Sequence, residues 1–234
     1  MRLSYILPLA LAALVSARDA SLKSVQDAFN AANVRSLIFS YSKPPLLPLP
    51  PLLYQKIPAD LSIAFNPKFL LGVSFPQTDG TTVKVRPGVQ LSLKASANEP
   101  TLSIAGRADA TGPGGPFVAV MVDPDAPTPQ DPSISQIRHL VASDLDAATS
   151  LRGKSHQLTS ATPAISSYIP PGPPAGSDAH RYIILLYNQP AGFKDQTVVT
   201  PGTSVIGFNA SAFAAATGLG DPIAGNFFLV APEA

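Results

Sequence analysis

The stretch that most restricts how this chain can fold is Phe117 to Pro127, FVAVMVDPDAP. Phe117 to Val122 is a short apolar run with the composition of a buried strand, and Asp123-Pro124-Asp125-Ala126-Pro127 stops it. Each proline fixes its own φ and withholds an amide donor, so a ladder cannot run on through the turn. Two carboxylates, Asp123 and Asp125, are thereby held at a strand end. His139 opens another half-apolar run, and a hairpin-like return brings its imidazole back beside Asp123 to form a small polar pocket. The same residues also admit a plainer reading: the two acids bond their own turn, and His139 is a satisfied core histidine.

A second polar block lies downstream. Gly172-Pro173-Pro174 precede His180-Arg181-Tyr182 and an apolar strand from Ile183 to Tyr187. His139, His180 and Tyr182 supply donors for an anion, and an Asp123 next to His139 favours the charged imidazole. Arg181 is expected to pair with a carboxylate. Towards the end, Asn209 to Thr217 is alanine-rich and predicts a short helix that Gly218 closes in the left-handed conformation. Asn209 reads as its N-cap, and Asn209-Ala210-Ser211 is also an N-glycosylation sequon, left open at this level.

Short β-type runs at Leu70 to Phe75, Thr82 to Val85, Val89 to Leu93 and Thr101 to Ala105, punctuated by Gly, Pro and Asn, predict a sandwich. Thr111 to Pro116 is a tight connection into the central strand. Asp144 to Thr162 is polar and rich in small residues and reads as a surface loop. Gly202 to Gly207 lacks the Gly-x-Ser-x-Gly spacing of a nucleophile elbow and reads as a turn.

Ahead of this region three segments follow one another. Met1-Arg2 and the apolar run Leu3 to Val15, ending in Val15-Ser16-Ala17, predict a secretory signal peptide over residues 1–17. The run is too short for a spanning helix. Ser21 caps a helix that places Leu22, Val25, Phe29 and Ala32 on one face. Lys43 to Pro51, KPPLLPLPP, is extended polyproline II, so residues 18–56 form a helix and an arm ahead of a domain over 57–234.

Composition narrows the function. The chain has no cysteine, which removes disulfides and thiol chemistry, and its 26 prolines and 16 glycines favour turns over long helices. A net charge of +1 gives no nucleic-acid footprint. Two histidines and an aspartate suit zinc in principle, but no HExxH or paired i,i+4 histidines accompany them, so a metal-dependent hydrolase ranks last.

Taken together, Asp123 to Pro127, Asp131-Pro132 with His139, the Gly172 and His180 blocks, and Phe208-Asn209, Phe213, Leu219-Gly220, Pro222 and Ala224 to Phe228 resemble the phosphatidylethanolamine-binding protein family. The resemblance runs from about Ile57 to Val230. It implies a mainly β fold, a sandwich of two antiparallel sheets with a few short helices, one near the C-terminus. It implies a non-enzymatic protein without cofactor or metal, holding a phosphate-type anion or phospholipid head group at Asp123, Asp125, His139, Gly172, Pro173, Pro174, His180 and Tyr182. The implied setting is a secreted, fungal member, extracellular or vacuolar, that regulates a protein partner without inserting stably into a membrane. An alternative on the same scaffold is a serine carboxypeptidase inhibitor. Thr128-Pro129 replaces the family's usual Ser-Arg, and Ile137 and Leu140 replace the aromatics that commonly flank the histidine.

Overall fold

The computed structural model describes residues 21–32, 57–105, 114–147 and 155–233. The predicted signal peptide and the Lys43 to Pro51 arm lie outside these residues, as do residues 111–113 of the Thr111 to Pro116 connection. Three helices are described, α1 (Leu22–Ala31), α2 (Ile57–Asp60) and α3 (Ala210–Thr217). The strands are β1 (Leu70–Pro76), β2 (Thr82–Val85), β3 (Val89–Leu91), β4 (Thr101–Ala105), β5 (Phe117–Asp123), β6 (Ile137–Ala147), β7 (Ser155–Thr159), β8 (His180–Asn188) and β9 (Ala224–Val230). The fold is mainly β, as expected. β3 stops short of Leu93 because the chain turns into a 3-10 helix at Lys94–Ser96, where the Ser96 hydroxyl donates back to the Ser92 carbonyl at 3.1 Å.

Of the expected sandwich of two antiparallel sheets, the mainly β architecture is what the structure shows. The strands form one hydrogen-bonded series of nine, in the order β2-β1-β4-β7-β6-β5-β8-β9-β3. β6 joins its halves: it pairs with β5 from Ile137 to Leu145 and then with β7 at Asp146 and Ala147. β3 and β9 are parallel. Alternation along each strand decides which core a side chain joins. Leu71, Val73, Phe75, Leu102, Ile104 and Leu158 from one half meet Phe117, Ala119, Met121, Ile184, Leu186 and Phe228 from the other. On the opposite face of β5 and β8, Val118, Val120, Val122, Ile183, Leu185 and Tyr187 are covered by the helices.

The transfer of β6 between halves occurs at a bulge. Phe117 stands opposite Leu145 but Ala119 opposite Ala142, so Ser143 and Asp144 together face Val118. Asp144 adopts φ +55°, a left-handed backbone uncommon for a residue with a Cβ. Gln189 holds it there: its Oε1 accepts from the Asp144 amide at 2.7 Å and its Nε2 donates to Asp144 Oδ1 at 2.8 Å. The predicted loop from Asp144 to Thr162 is therefore corrected, since it contains the end of β6 and all of β7. Its polar composition reflects a strand in which only Leu158 is fully buried.

α1 opens with a capping box, Ser21 Oγ accepting from the Ser24 amide at 3.1 Å and Ser24 Oγ from the Ser21 amide at 2.9 Å. Val25, Phe29 and Ala32 are buried as the spacing predicts, whereas Leu22 stays on the exposed side. Phe29 stacks on Phe65 with centroids 4.1 Å apart and meets Phe227 edge-on at 5.3 Å. This seat exists because β9 carries Gly225 beneath it. A Cβ there would lie 2.8 Å from Phe29 Cζ and 3.1 Å from Phe65 Cε2.

Gly225→Ala is expected to cost about 1–3 kcal/mol in urea unfolding, the range for overpacking, and to expose α1 to limited proteolysis. Tyr187→Phe tests the same core from the other direction. The Tyr187 hydroxyl is buried without a hydrogen-bond partner among the described residues, so its removal is expected to leave stability unchanged or raise it by about 1 kcal/mol in the same assay.

Candidate anion pocket

β8 opens with His180, Arg181 and Tyr182, and its alternation sends the first and third inward and Arg181 towards the helices. The Asp-Pro-Asp turn after β5 supplies one carboxylate to each side. Asp123 Oδ2 lies 2.8 Å from His180 Nδ1, with both side chains buried. Asp125 Oδ2 accepts from the Arg181 amide at 2.7 Å and from Nε at 2.9 Å, and its Oδ1 accepts from Nη2 at 2.6 Å. Arg181 Nη1 also reaches Asp60 Oδ2 at 2.7 Å. Arg181 thus has the carboxylate partner the sequence implied. Asp125 is drawn away from the pocket into a fork-like ion pair, a geometry that guanidinium and carboxylate favour.

The carboxylate beside the turn belongs to His180 and not, as the hairpin argument had it, to His139. Asp123 Oδ1 accepts from the Asp125 amide at 2.8 Å, which is the turn bond of the plainer reading. His180 Nε2 sits 2.9 Å from Ser177 Oγ, so both its ring nitrogens are committed inside the protein. The Tyr182 hydroxyl accepts from the Gly172 amide at 3.3 Å. Its pKa is pushed up, first by burial and then by the negative charge of Asp123. Pro173 is buried, while Gly172 and Pro174 are exposed.

His139 is placed by a second bulge. Val122 pairs with Arg138 and Met121 with Leu140, leaving His139 as the extra residue of β6. An extra residue re-aims its side chain and releases its backbone from the ladder. The His139 carbonyl accepts from the Ile169 amide at 2.8 Å, and the Ile169 carbonyl stands 2.7 Å from His139 Nδ1. A carbonyl can only accept, so Nδ1 carries a hydrogen and the neutral ring offers Nε2 as a lone pair. Nε2 has no partner among the described residues. The ring meets Tyr182 edge-on with centroids 5.0 Å apart. Tyr182 in turn stacks on Phe228 at 5.5 Å, so the strand opposite supplies an aromatic wall that Ile137 does not. The expected charged His139 is corrected: burial pulls its pKa below the ordinary value and outweighs the Ile169 bond and the pull of Asp123.

Arg138 is the residue that sequence reasoning passed over. It is 1% exposed, and its Nε donates to Ser166 Oγ at 3.0 Å, Nη1 to the Ser204 carbonyl at 2.9 Å and Nη2 to the Thr203 carbonyl at 2.8 Å. Phe208 lies under the guanidinium at 5.5 Å. The Gly202 to Gly207 segment is a turn as read, and Arg138 pins it against β6. Gln130 and Asp178 hydrogen-bond across the turns that precede β6 and β8. Among the described residues no three His, Asp or Glu side chains gather as metal ligands. No described helix is long and apolar enough to cross a membrane.

Residues 71–228, which span both carboxylate partners and the bulge, match the family model described as phosphatidylethanolamine-binding protein. The chain belongs to the phosphatidylethanolamine-binding protein family. Its relatives include Protein FLOWERING LOCUS T of Arabidopsis thaliana, 30% identical over 178 residues that cover 76% of this chain and 89% of that one. The carboxypeptidase Y inhibitor of Saccharomyces cerevisiae is 40% identical over 88 residues, 32% of this chain and 39% of that one. A crystal structure of carboxypeptidase Y inhibitor complexed with its cognate proteinase superposes with a TM-score of 0.60 at 25% identity, covering 72% of this chain and 86% of that one. The phosphatidylethanolamine-binding protein fold of this chain is thus shared by that inhibitor.

Removing one member of a buried ion pair strands the other, so Asp125→Ala is expected to cost about 3 kcal/mol in chemical unfolding, the lower end for such pairs because Asp60 still reaches Arg181. His139 adds a pH dependence. Its pKa is lower folded than unfolded, so the unfolded chain binds the extra proton first. Stability from this group is whole above about pH 6.5 and is lost as pH falls below that, by at most about 1.4 kcal/mol per pH unit. Denaturant midpoints at pH 7.5 and pH 5.5 are expected to separate less in His139→Gln than in the parent.

Proposed function

We propose that this chain is a secreted, non-enzymatic member of its family that takes a small phosphate-type anion, free or as a phospholipid head group, and regulates a protein partner. The observation that carries the reading is His139, a buried imidazole whose Nδ1 is fixed by Ile169 and whose Nε2, among the described residues, is left unengaged beside Tyr182. Gly172 borders the same site through its bond to Tyr182, and Pro173 and Pro174 follow it in the chain. Asp123 and His180 act as a buried support, and Asp125 acts through Arg181. The apolar run Leu3 to Val15 is the basis for secretion.

Neutral Nε2 repels an anion and protonated Nε2 holds it through a charge-assisted hydrogen bond. Anion binding therefore takes up a proton. Affinity rises as pH falls through and below the usual histidine range, until the fold itself loses stability. Calorimetric titration with inorganic phosphate and with phosphoethanolamine at pH 5.5 and pH 7.5 tests this, beside His139→Ala. Saturable binding that is tighter at pH 5.5 and absent in the variant is expected, and tighter binding of phosphoethanolamine would assign a role to the amine. Equal binding by the variant sinks the pocket.

A second reading, inhibition of a serine carboxypeptidase, is favoured by the likeness to the yeast inhibitor and its complex. Titrating the protein into a carboxypeptidase Y assay separates the two: stoichiometric loss of peptidase activity supports inhibition, whatever the phosphate result.

A further inference from the structure

We propose that Asn209 is an N-glycosylation site. No other asparagine in the chain is followed two residues later by Ser or Thr, and the intervening Ala210 is not proline. The competition between capping and modification is settled by which amide atom each uses. Asn209 Oδ1 caps α3, accepting from the Ala212 amide at 2.8 Å and from Ser211 Oγ at 2.9 Å. The glycosyl acceptor is the other atom, Nδ2, which donates to nothing among the described residues. Asn209 is exposed and its backbone is extended, with φ −118° and ψ 105°. A sugar on Nδ2 thus leaves the cap intact. It would stand three residues beyond Ile206, which at 55% is the most exposed large apolar side chain among the described residues.

The donor is a polyisoprenyl-pyrophosphate-linked oligosaccharide in the secretory lumen. Nδ2 forms a bond to the anomeric carbon, the bond from that carbon to the pyrophosphate oxygen breaks, the lipid pyrophosphate departs and Nδ2 gives up one proton. The inference rests on the secretion proposed above, and the experiment keeps the two apart. The full chain is expressed in a yeast host in two forms, with its own N-terminus and behind a leader known to reach the lumen. Cell-retained and exported fractions are analysed by intact mass before and after peptide:N-glycosidase treatment, with peptide mapping of Asn209. The expected result is a glycosidase-sensitive mass on Asn209 in both forms, absent in Asn209→Asp and Ser211→Ala and kept in Ser211→Thr. Aspartate is also a good N-cap, so Asn209→Asp is expected to keep a thermal midpoint near the parent's. An unmodified Asn209 in the leader-directed form overturns the site. Modification there but not behind the native N-terminus upholds the site and overturns secretion.

Discussion

The Asp-Pro-Asp turn works as a clamp on the start of β8. Consecutive residues of a strand point to opposite faces, so His180 and Arg181 cannot share one partner. The turn meets this by offering Asp123 to the inner face and Asp125 to the outer one. The residue between them is a proline, which has no amide to satisfy and a fixed φ. One face of the clamp supports the candidate pocket beside His139, the other anchors α2 through Asp60. Candidate pocket and helical cover therefore share a single electrostatic fixture, whose charges are tolerable at this depth because each is paired and hydrogen-bonded.

Against that rigid support, His139 is held differently. The bulge takes it out of the β5 ladder and gives its backbone and its ring to one residue of the facing loop, Ile169. The ring is thus oriented without a carboxylate bonded to it. That arrangement leaves its charge to be decided by burial, and by whatever enters the pocket.

Much of the architecture was legible because it rests on local rules. Proline and an unbroken apolar run mark β5, the 4-residue run at Thr82–Val85 is recovered to the residue, and Ser21, Asn209 and Gly218 sit at helix ends where their chemistry places them. The pocket residues were legible as a set through family blocks, but their pairing was not. Which histidine meets Asp123 depends on a one-residue register shift at Met121 and Val122, and no composition rule announces a bulge formed without glycine. β7 was missed because one buried leucine in a polar stretch carries no periodic signal. Arg138 was missed because a buried arginine satisfied by carbonyls looks, in sequence, like any surface arginine.

The seat of Phe29 over Gly225 joins positions nearly the whole described chain apart. During synthesis β8, which ends at Asn188, emerges before β9, which begins at Ala224, and so His180 and Tyr182 leave the ribosome with one edge of their strand unpaired. Closing so large a loop carries an entropic cost that is offset only when the distant contacts form together. Until β9 arrives and α1 settles upon it, the β9-facing edge of β8 and the seat of α1 stay uncovered, and that interval is when chaperones would find this protein.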